Sequence, residues 1–298
     1  MSGKLRLFKD KLEGYKRFYA IVKTIKMVTL AKFRQSMSRL KTRDGTMRYS
    51  EKAFAVKSDD SILSMENVLF LPITTNRGSC GPLNSNIYRY IDGSLNKGCK
   101  IMAVGKKGSD SLSRLFPAEY CYTILNDMKN AMHFGYASYI LENAATRNLP
   151  HIQVVYNRYV SAGVQRQSIY CIPNFDKWIE KVATTATSLK DKDNYQFANA
   201  ILNMEEEDAK DFFDFHSSLV ILNAVCENEH SEYAARLIAV ESQMTNIGQL
   251  QQKTQYLYNK LRQGNITAAL IELLSAMSAM SDSSTKKMSK SRFWEAKQ

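Results

Sequence analysis

Apolar residues recur in steps of three and four at both ends of this chain, and in short unbroken runs between them. Near the start, Leu5, Phe8, Leu12, Tyr15, Tyr19 and Val22 alternate those two steps, which is the spacing of a coiled-coil seam. The seam blurs over Ile25–Leu30 and continues loosely through Phe33, Met37 and Leu40, with Gly14 the only breaker before Gly45. One helix from about Leu5 to Arg43 or slightly beyond is expected. Toward the other end, Leu219, Leu222, Cys226, Tyr233, Leu237, Val240, Met244 and Ile247 keep the same rhythm. It drifts near Leu250 and resumes at Leu257, Leu261 and Ile271–Leu274. A helix over about Asp208–Met280 would span roughly 105 Å at 1.5 Å per residue, longer than ordinary globular helices. Two such helices at the termini are expected to pair antiparallel. The second, being longer, must run past the first and leave Met277 and Met280 in an apolar, adaptable tip.

The middle alternates in type. Val68–Ile73, Lys100–Val104, Ile152–Tyr156 and Val164–Ile172 read as strands, with Asn84–Leu95 and Tyr136–Arg147 as helices. All five prolines and eight of the thirteen glycines lie between Pro72 and Pro173, so turns concentrate there. The fold class expected is therefore α/β plus a long antiparallel coiled coil: paired N- and C-terminal helices, and a central Rossmann-like α/β domain with a mainly parallel sheet. The organisation that follows is a helix over 1–50, the α/β domain over 66–173, and a linker segment over 174–207 that is polar over Thr184–Asn194. The long helix over 208–280 and a basic, solvated tail over 281–298 complete it.

Charge changes this picture by its location. Of the net +12, residues 1–48 hold +11 and the last thirteen residues +4, so the remainder is slightly acidic. Anionic partners are implied for the ends specifically. One partner class is nucleic acid, with Phe8, Tyr15, Phe18 and Tyr19 as stacking groups. Those rings fall on or beside the apolar seam, however, so burial is the expectation. The five cysteines are scattered, without metal-ligand spacing, and read as thiols of a reducing compartment. No apolar run approaches a membrane span. Met1–Lys32 has some presequence character, but Asp10, Glu13 and the continuous seam mark it as mature structure.

The remaining chemistry is thin. Thr74–Asn84 (TTNRGSCGPLN) follows a strand and carries Gly78 and Gly81. A Walker loop needs Gly-Lys-Ser/Thr, and here Gly81 is followed by Pro82 and Leu83. A tight packed turn is expected in preference to a nucleotide site. Gly105–Ser111 (GKKGSDS) is loosely phosphate-friendly after its strand. Cys80 has no histidine near it in sequence to serve as a base, and no carboxylate pair or metal cluster is readable. Neither a catalytic residue nor a metal site nor a bound cofactor is expected.

Four strings, in order along the chain, carry a resemblance: IVKTIKMVTLAKFRQS (21–36), NRGSCGPLN (76–84), SEYAARLIAVESQMTN (231–246) and LYNKLRQGNIT (257–267). Together they resemble the γ subunit of rotary F-type ATP synthases, in a divergent, mitochondrial form. The usual D-R-G-L-C-G is Asn76-Arg77-Gly78-Ser79-Cys80-Gly81 here, and the tail runs past where many relatives stop. The resemblance implies a central stalk. Its helix pair would be a shaft inside an α3β3 hexamer, and its α/β domain a foot on the c-ring beside small δ- and ε-type stalk subunits. Contact with nucleic acid is not implied, and contact with the membrane only through the c-ring, on the matrix side of the inner membrane. It also implies roles for residues. Arg262 and Gln263 would meet a catch loop of β, and Lys23, Ile25, Lys26, Lys32, Arg34, Met277 and Met280 the β levers and bearing. Met204, Glu205, Glu206, Glu207 and Asp208 would meet the c-ring. Arg77, Gly78, Cys80 and Gly81 form the family-motif loop.

Overall fold

The computed structural model describes residues 2–54, 66–125, 133–161, 163–187 and 198–295, with side chains described over 3–41, 66–125, 133–161, 163–184 and 198–280. Helix α1 is Ser2–Phe54, followed by β1 Val68–Pro72, α2 Leu83–Ser94, β2 Lys100–Val104, α3 Lys106–Leu115 and β3 Tyr120–Ile124. Then come α4 Phe134–Ala145, β4 His151–Ser161, β5 Val164–Pro173, α5 Phe175–Thr187 and the long α6, Glu206–Glu295. The chain divides into two compact units, Lys26–Glu241 and the two terminal segments Met1–Ile25 and Ser242–Gln298.

In the larger unit the five strands lie in the order β3-β2-β1-β4-β5. The first four are parallel and β5 closes one edge antiparallel to β4. Central β1 is buried at every position, because side chains alternate across a sheet covered on both faces. Val68 and Phe70 point to one face with Ile101, Ala103 and Val155, against Ile87 and Ile91 of α2 and Leu112 of α3. Leu69, Leu71 and Ile73 point to the other, with Met102, Val104 and Val154. There they meet Ala137 and Ile140 of α4, Trp178 of α5 and Val220, Ile221, Ala224 and Val225 of α6. The C-terminal helix is thus one wall of the core. Trp178, the largest buried side chain at 1 % exposure, packs among Phe175, Phe212 and Phe213.

Helices α1 and α6 run antiparallel through this unit. Lys26 Nζ reaches Glu241 Oε1 at 2.5 Å, Ser36 Oγ meets His230 Nδ1 at 2.7 Å, and Arg39 lies 3.6 Å from Glu229. Rising numbers in one helix match falling numbers in the other. Where the apolar pattern of α1 blurs, burial does not. Thr29 and Ser36 are buried at 4 % each, continuing the three-four steps of the seam through Phe33 to Leu40. The seam persists with small polar residues, which let two helices approach and bond through side chains.

The smaller unit holds the chain's terminal segments. Leu12 and Val22 are buried in α1, with Leu5, Phe8 and Tyr15 half-buried. In α6 the covered positions include Met244, Ile247, Gln251, Thr254, Tyr258, Leu261 and Asn265, a run of three-four steps, with Gly248 and Asn259 half-buried beside it. This corrects the expected resumption at Leu257, since Leu250 and Leu257 are 45 % and 44 % exposed and the seam passes through Gln251 and Thr254 instead. The expected burial of the N-terminal aromatics holds only in part. Phe18 is 50 % and Tyr19 36 % exposed, because one partner helix covers a single stripe and Phe18 lies beside it with Ile21 and Ile25.

Other differences have local causes. The segment expected as linker over 174–207 contains α5, whose apolar face (Phe175, Trp178, Ile179, Val182) alternates with charged and threonine positions. Residues 188–197 of that segment lie outside the described residues. The expected tail over 281–298 is helical through Glu295, since Lys, Ser and Met all tolerate helix and no proline intervenes. Helix α3 and strand β3 escaped the pattern: α3 is polar and starts at a glycine, and β3 is a half-exposed edge strand.

Candidate functional site

Loop 74–84 and the start of α3 form one interlocked turn. Thr74 Oγ1 donates to Val104 O at 2.8 Å and itself accepts from Gly108 N at 2.9 Å. Lys106 N donates to Asn76 Oδ1 at 3.0 Å, and Lys107 N to Thr75 O at 3.0 Å. The first N–H groups of a helix are what a phosphate would use. Here protein acceptors already hold three of them, so GKKGSDS is a closed helix start. The fit is close. Gly105 has φ +102, and a Cβ there would lie 2.3 Å from Thr74 O; one on Gly108 would lie 2.4 Å from Thr74 Oγ1.

The second half of the loop is tied inward and onto α6. Asn84 Nδ2 donates to Thr75 Oγ1 at 2.8 Å, and Thr75 passes its own proton to Arg77 O at 2.9 Å. Ser79 and Gly81 take left-handed φ values near +60, which turn the chain back so that buried Cys80 and Leu83 pack on Ala235. Arg236 donates to Gly78 O at 3.4 Å and pairs with Glu232. Burial pushes the Glu232 carboxyl up, opposed by Arg236 beside it. Arg77, Gly78, Cys80 and Gly81 therefore belong to a turn docked on the long helix.

A second knot joins α1, the β4–β5 hairpin and α6. His230 stacks on Phe33 with ring centres 4.5 Å apart and meets Tyr159 edge-on at 4.6 Å. Ser36 gives its hydroxyl proton to Phe33 O at 2.9 Å, which leaves His230 Nδ1–H as the donor to Ser36 Oγ. Burial holds His230 below the ordinary histidine range. Around it stand Arg39 with Glu229 and Arg158 with Glu227, while Tyr233 donates to Glu229 at 2.9 Å.

The remaining residues singled out in the sequence fall in three groups. Met204 is 41 % exposed, and Glu205 to Asp208 are exposed at the start of α6, where three carboxylates face the positive end of the helix dipole. Lys23 and Arg34 are exposed and Ile25 is 43 % exposed, whereas Lys26 is engaged by Glu241 and Lys32 lies 6.0 Å from the Tyr233 ring centre. Arg262 and Gln263 are exposed on α6, and Met277 and Met280 are 67 % and 73 % exposed. Sequence reasoning missed Asn157, Asn228, His230 and Arg236, polar residues on otherwise apolar faces. Among the described residues no group of His, Cys, Asp and Glu could hold a metal ion, and no helix is long and apolar enough to cross a membrane.

Comparison with known proteins agrees with this arrangement. A family model described as ATP synthase matches residues 4–280. The chain is 56 % identical over 300 residues to the mitochondrial ATP synthase subunit γ of Trypanosoma brucei brucei, covering 99 % of this chain and 98 % of that one. Among solved structures, the OSCP/F1/c-ring assembly of the Euglena gracilis mitochondrial ATP synthase contains a chain 45 % identical. It superimposes with TM-score 0.86 over 94 % of this chain and 95 % of that one. The rotor of the same enzyme gives TM-score 0.82 at 44 % identity over 89 % and 100 %. None of this supports the nucleic-acid reading. The chain belongs to the family of ATP synthase γ subunits, the central stalk of that machine.

Proposed function

We propose that the chain is the rotor shaft of a proton-translocating ATP synthase at the mitochondrial inner membrane, on the matrix side. It couples c-ring rotation to the catalytic sites of an α3β3 hexamer. The observation that carries this reading is the last described stretch of α6. Ile266, Leu270, Ile271, Leu273, Leu274, Met277 and Met280 are 55–73 % exposed. Water is a poor environment for that much apolar surface, and a contiguous exposed patch of this kind marks a partner. A ring of subunits around the helix end supplies one. The structures it resembles support the partners, since they are OSCP/F1/c-ring and rotor assemblies of an ATP synthase.

Shape does the work in this reading, and no catalytic group or cofactor of the chain's own takes part. A rotor that presents different side chains to each β subunit makes unequal contacts with otherwise identical sites, and unequal contacts are the physical content of coupling. Arg262 and Gln263, both exposed, meet the β catch loop. A guanidinium offers a bidentate, angle-specific contact to a carboxylate. Lys23, Ile25, Lys32 and Arg34 face the β levers, Met277 and Met280 the bearing, and Met204–Asp208 the c-ring loops. Lys26 acts mainly inside the shaft, through Glu241.

Arg262→Ala with Gln263→Ala in the assembled enzyme tests the reading. ATP turnover is expected to fall by about tenfold, the worth of one or two charge-assisted bonds, while the chain stays helical by circular dichroism. Undiminished turnover removes the pair from the mechanism. Cysteines placed at Glu205 and Asp208 are expected to cross-link to c-ring loops, and cross-links to β alone would move the foot elsewhere.

A further inference from the structure

A shaft must be fixed to its foot in rotation as well as in position, and most of the contact between α6 and the sheet is apolar. Val220, Ile221, Ala224 and Val225 are buried against strand side chains. Such contacts are non-directional. They choose the buried face of the helix but fix its angle about its own axis only coarsely. Directional bonds between the two are concentrated at one strand residue.

That residue is Asn157, at the point where β4 outruns its neighbour. Strand β1 pairs with β4 as far as Pro72 opposite Val155, and Ile73 N then donates to Val155 O at 2.8 Å. Two residues on, the same edge of β4 presents the N–H and C=O of Asn157 with no strand to receive them. Helix α6 receives them instead. Asn157 N donates to Asn228 Oδ1 at 3.1 Å, and Ser231 Oγ donates to Asn157 O at 2.9 Å. Two side chains one helical turn apart thus stand in for the missing strand. The Asn157 side chain adds a bond to Asn228 Oδ1 at 3.0 Å and one to Leu83 O at 3.4 Å, which ties in the start of α2. All three residues are buried, at 1 %, 3 % and 0 % exposure.

We propose that Asn157, Asn228 and Ser231 form a register key that transmits turning force between the α/β body and the long C-terminal helix. This rests on the rotor reading above. Rotating α6 by one residue swings the Asn228–Ser231 pair about 100° around the helix axis, leaving a buried N–H and a buried C=O without partners. The orphaned buried pair adds its desolvation penalty to the cost of repacking the apolar surfaces. The three are positioning residues, and their effect appears under load. When the body turns freely the key carries little, and when the body is driven against a proton gradient it carries the torque.

The test compares loaded and unloaded rates of the same complex reconstituted in liposomes. Unloaded turnover is ATP hydrolysis with a protonophore present; loaded turnover is ATP synthesis driven by an imposed proton gradient. For Asn228→Leu with Ser231→Ala, the unloaded rate per assembled complex is expected to stay near wild type, while the loaded rate falls at least about threefold, the order of a lost buried bond or two. Ser231→Ala alone deletes one atom from a helix and serves if the double variant does not assemble. Its loaded rate is expected to fall about twofold, and Ser231→Thr, which keeps the hydroxyl, to restore it. Loaded and unloaded rates that fall together, or a loaded rate of Ser231→Ala equal to wild type, overturn the key. Failure of the rotor reading shows separately. It would appear as a complex with the three key residues intact whose turnover survives a covalent bond from Gln263→Cys to a β subunit.

Discussion

Helix α6 contains two stretches of similar apolar content and opposite fate. Over Leu219–Val240 it is mostly buried against the sheet and α1, whereas over Ile266–Met280 every residue is exposed. In the first stretch, polar residues have chain partners: Asn223 to Tyr170, Asn228 and Ser231 to Asn157, Arg236 to Gly78. The second is a helix with leucine, isoleucine and methionine in solvent. Burial inside the chain accounts for the first composition and cannot account for the second. Side chains of the first stretch serve folding, and in the proposed rotor those of the second serve assembly.

Substitutions that separate those roles sharpen the contrast. The largest effect on stability is expected at Arg236. Replacing it by alanine strands the buried Glu232 carboxylate, a loss of about 3–5 kcal/mol, read from urea unfolding of the full chain. The loss should shrink at acid pH, where Glu232, already pushed up by burial, takes a proton. Next is Ile221→Ala in the core wall, expected to cost about 2–5 kcal/mol, against less than about 0.5 kcal/mol for Leu274→Ala at the exposed end. In the assembled enzyme the order reverses, since Leu274→Ser with Met277→Ser lowers turnover without lowering the melting point of the chain. A comparable loss of stability at Leu274 would erase the distinction drawn here.

A smaller effect is expected at Gly105, where φ is +102 and a Cβ meets Thr74 O. Gly105→Ala should cost a few kcal/mol through strain at that angle and loosen the α3 start, measurable as faster amide exchange at Lys107 and Gly108. The smallest is a pH effect. Burial holds His151, His216 and His230 below the ordinary value of 6.5. Their folded forms are neutral, so the stability they contribute is complete above pH 6.5 and is lost as pH falls toward their folded values. The unfolded chain takes up protons first. The slope for each is at most about 1.4 kcal/mol per pH unit, and His230→Gln should flatten the melting-point curve between pH 7 and 5.5.

Much of the fold was legible because it is written in periods. The three-four steps of Leu5–Val22 and Val240–Ile247 gave the helices, and unbroken runs such as Lys100–Val104 gave buried parallel strands to the residue. Patterning failed where burial and polarity part company. Thr29, Ser36, Gln251 and Thr254 sit on the seam as polar residues, while Leu250, Leu257, Ile21 and Ile25 lie off it as apolar ones. Periodicity sees only hydrophobicity, so it read the stretches holding these residues as blur or drift and took Leu257 for seam. The knots at Asn157, His230 and Arg236 were hidden for a different reason. Their long-range hydrogen-bond partners lie between 71 and 194 residues away, and nothing local announces a bond that only the tertiary fold creates. The motif loop was readable as a tight turn from its missing lysine, but its docking on α6 was not.

The central claim is that this chain turns as the catalytic sites fire. A bead fixed through Asp110→Cys, an exposed position on α3 of the α/β body, in complexes whose α3β3 ring is anchored to glass reports that motion directly. On adding ATP the bead should rotate continuously in one direction, at a rate that follows ATP hydrolysis. ATP hydrolysis at full rate with the bead stationary would contradict the account.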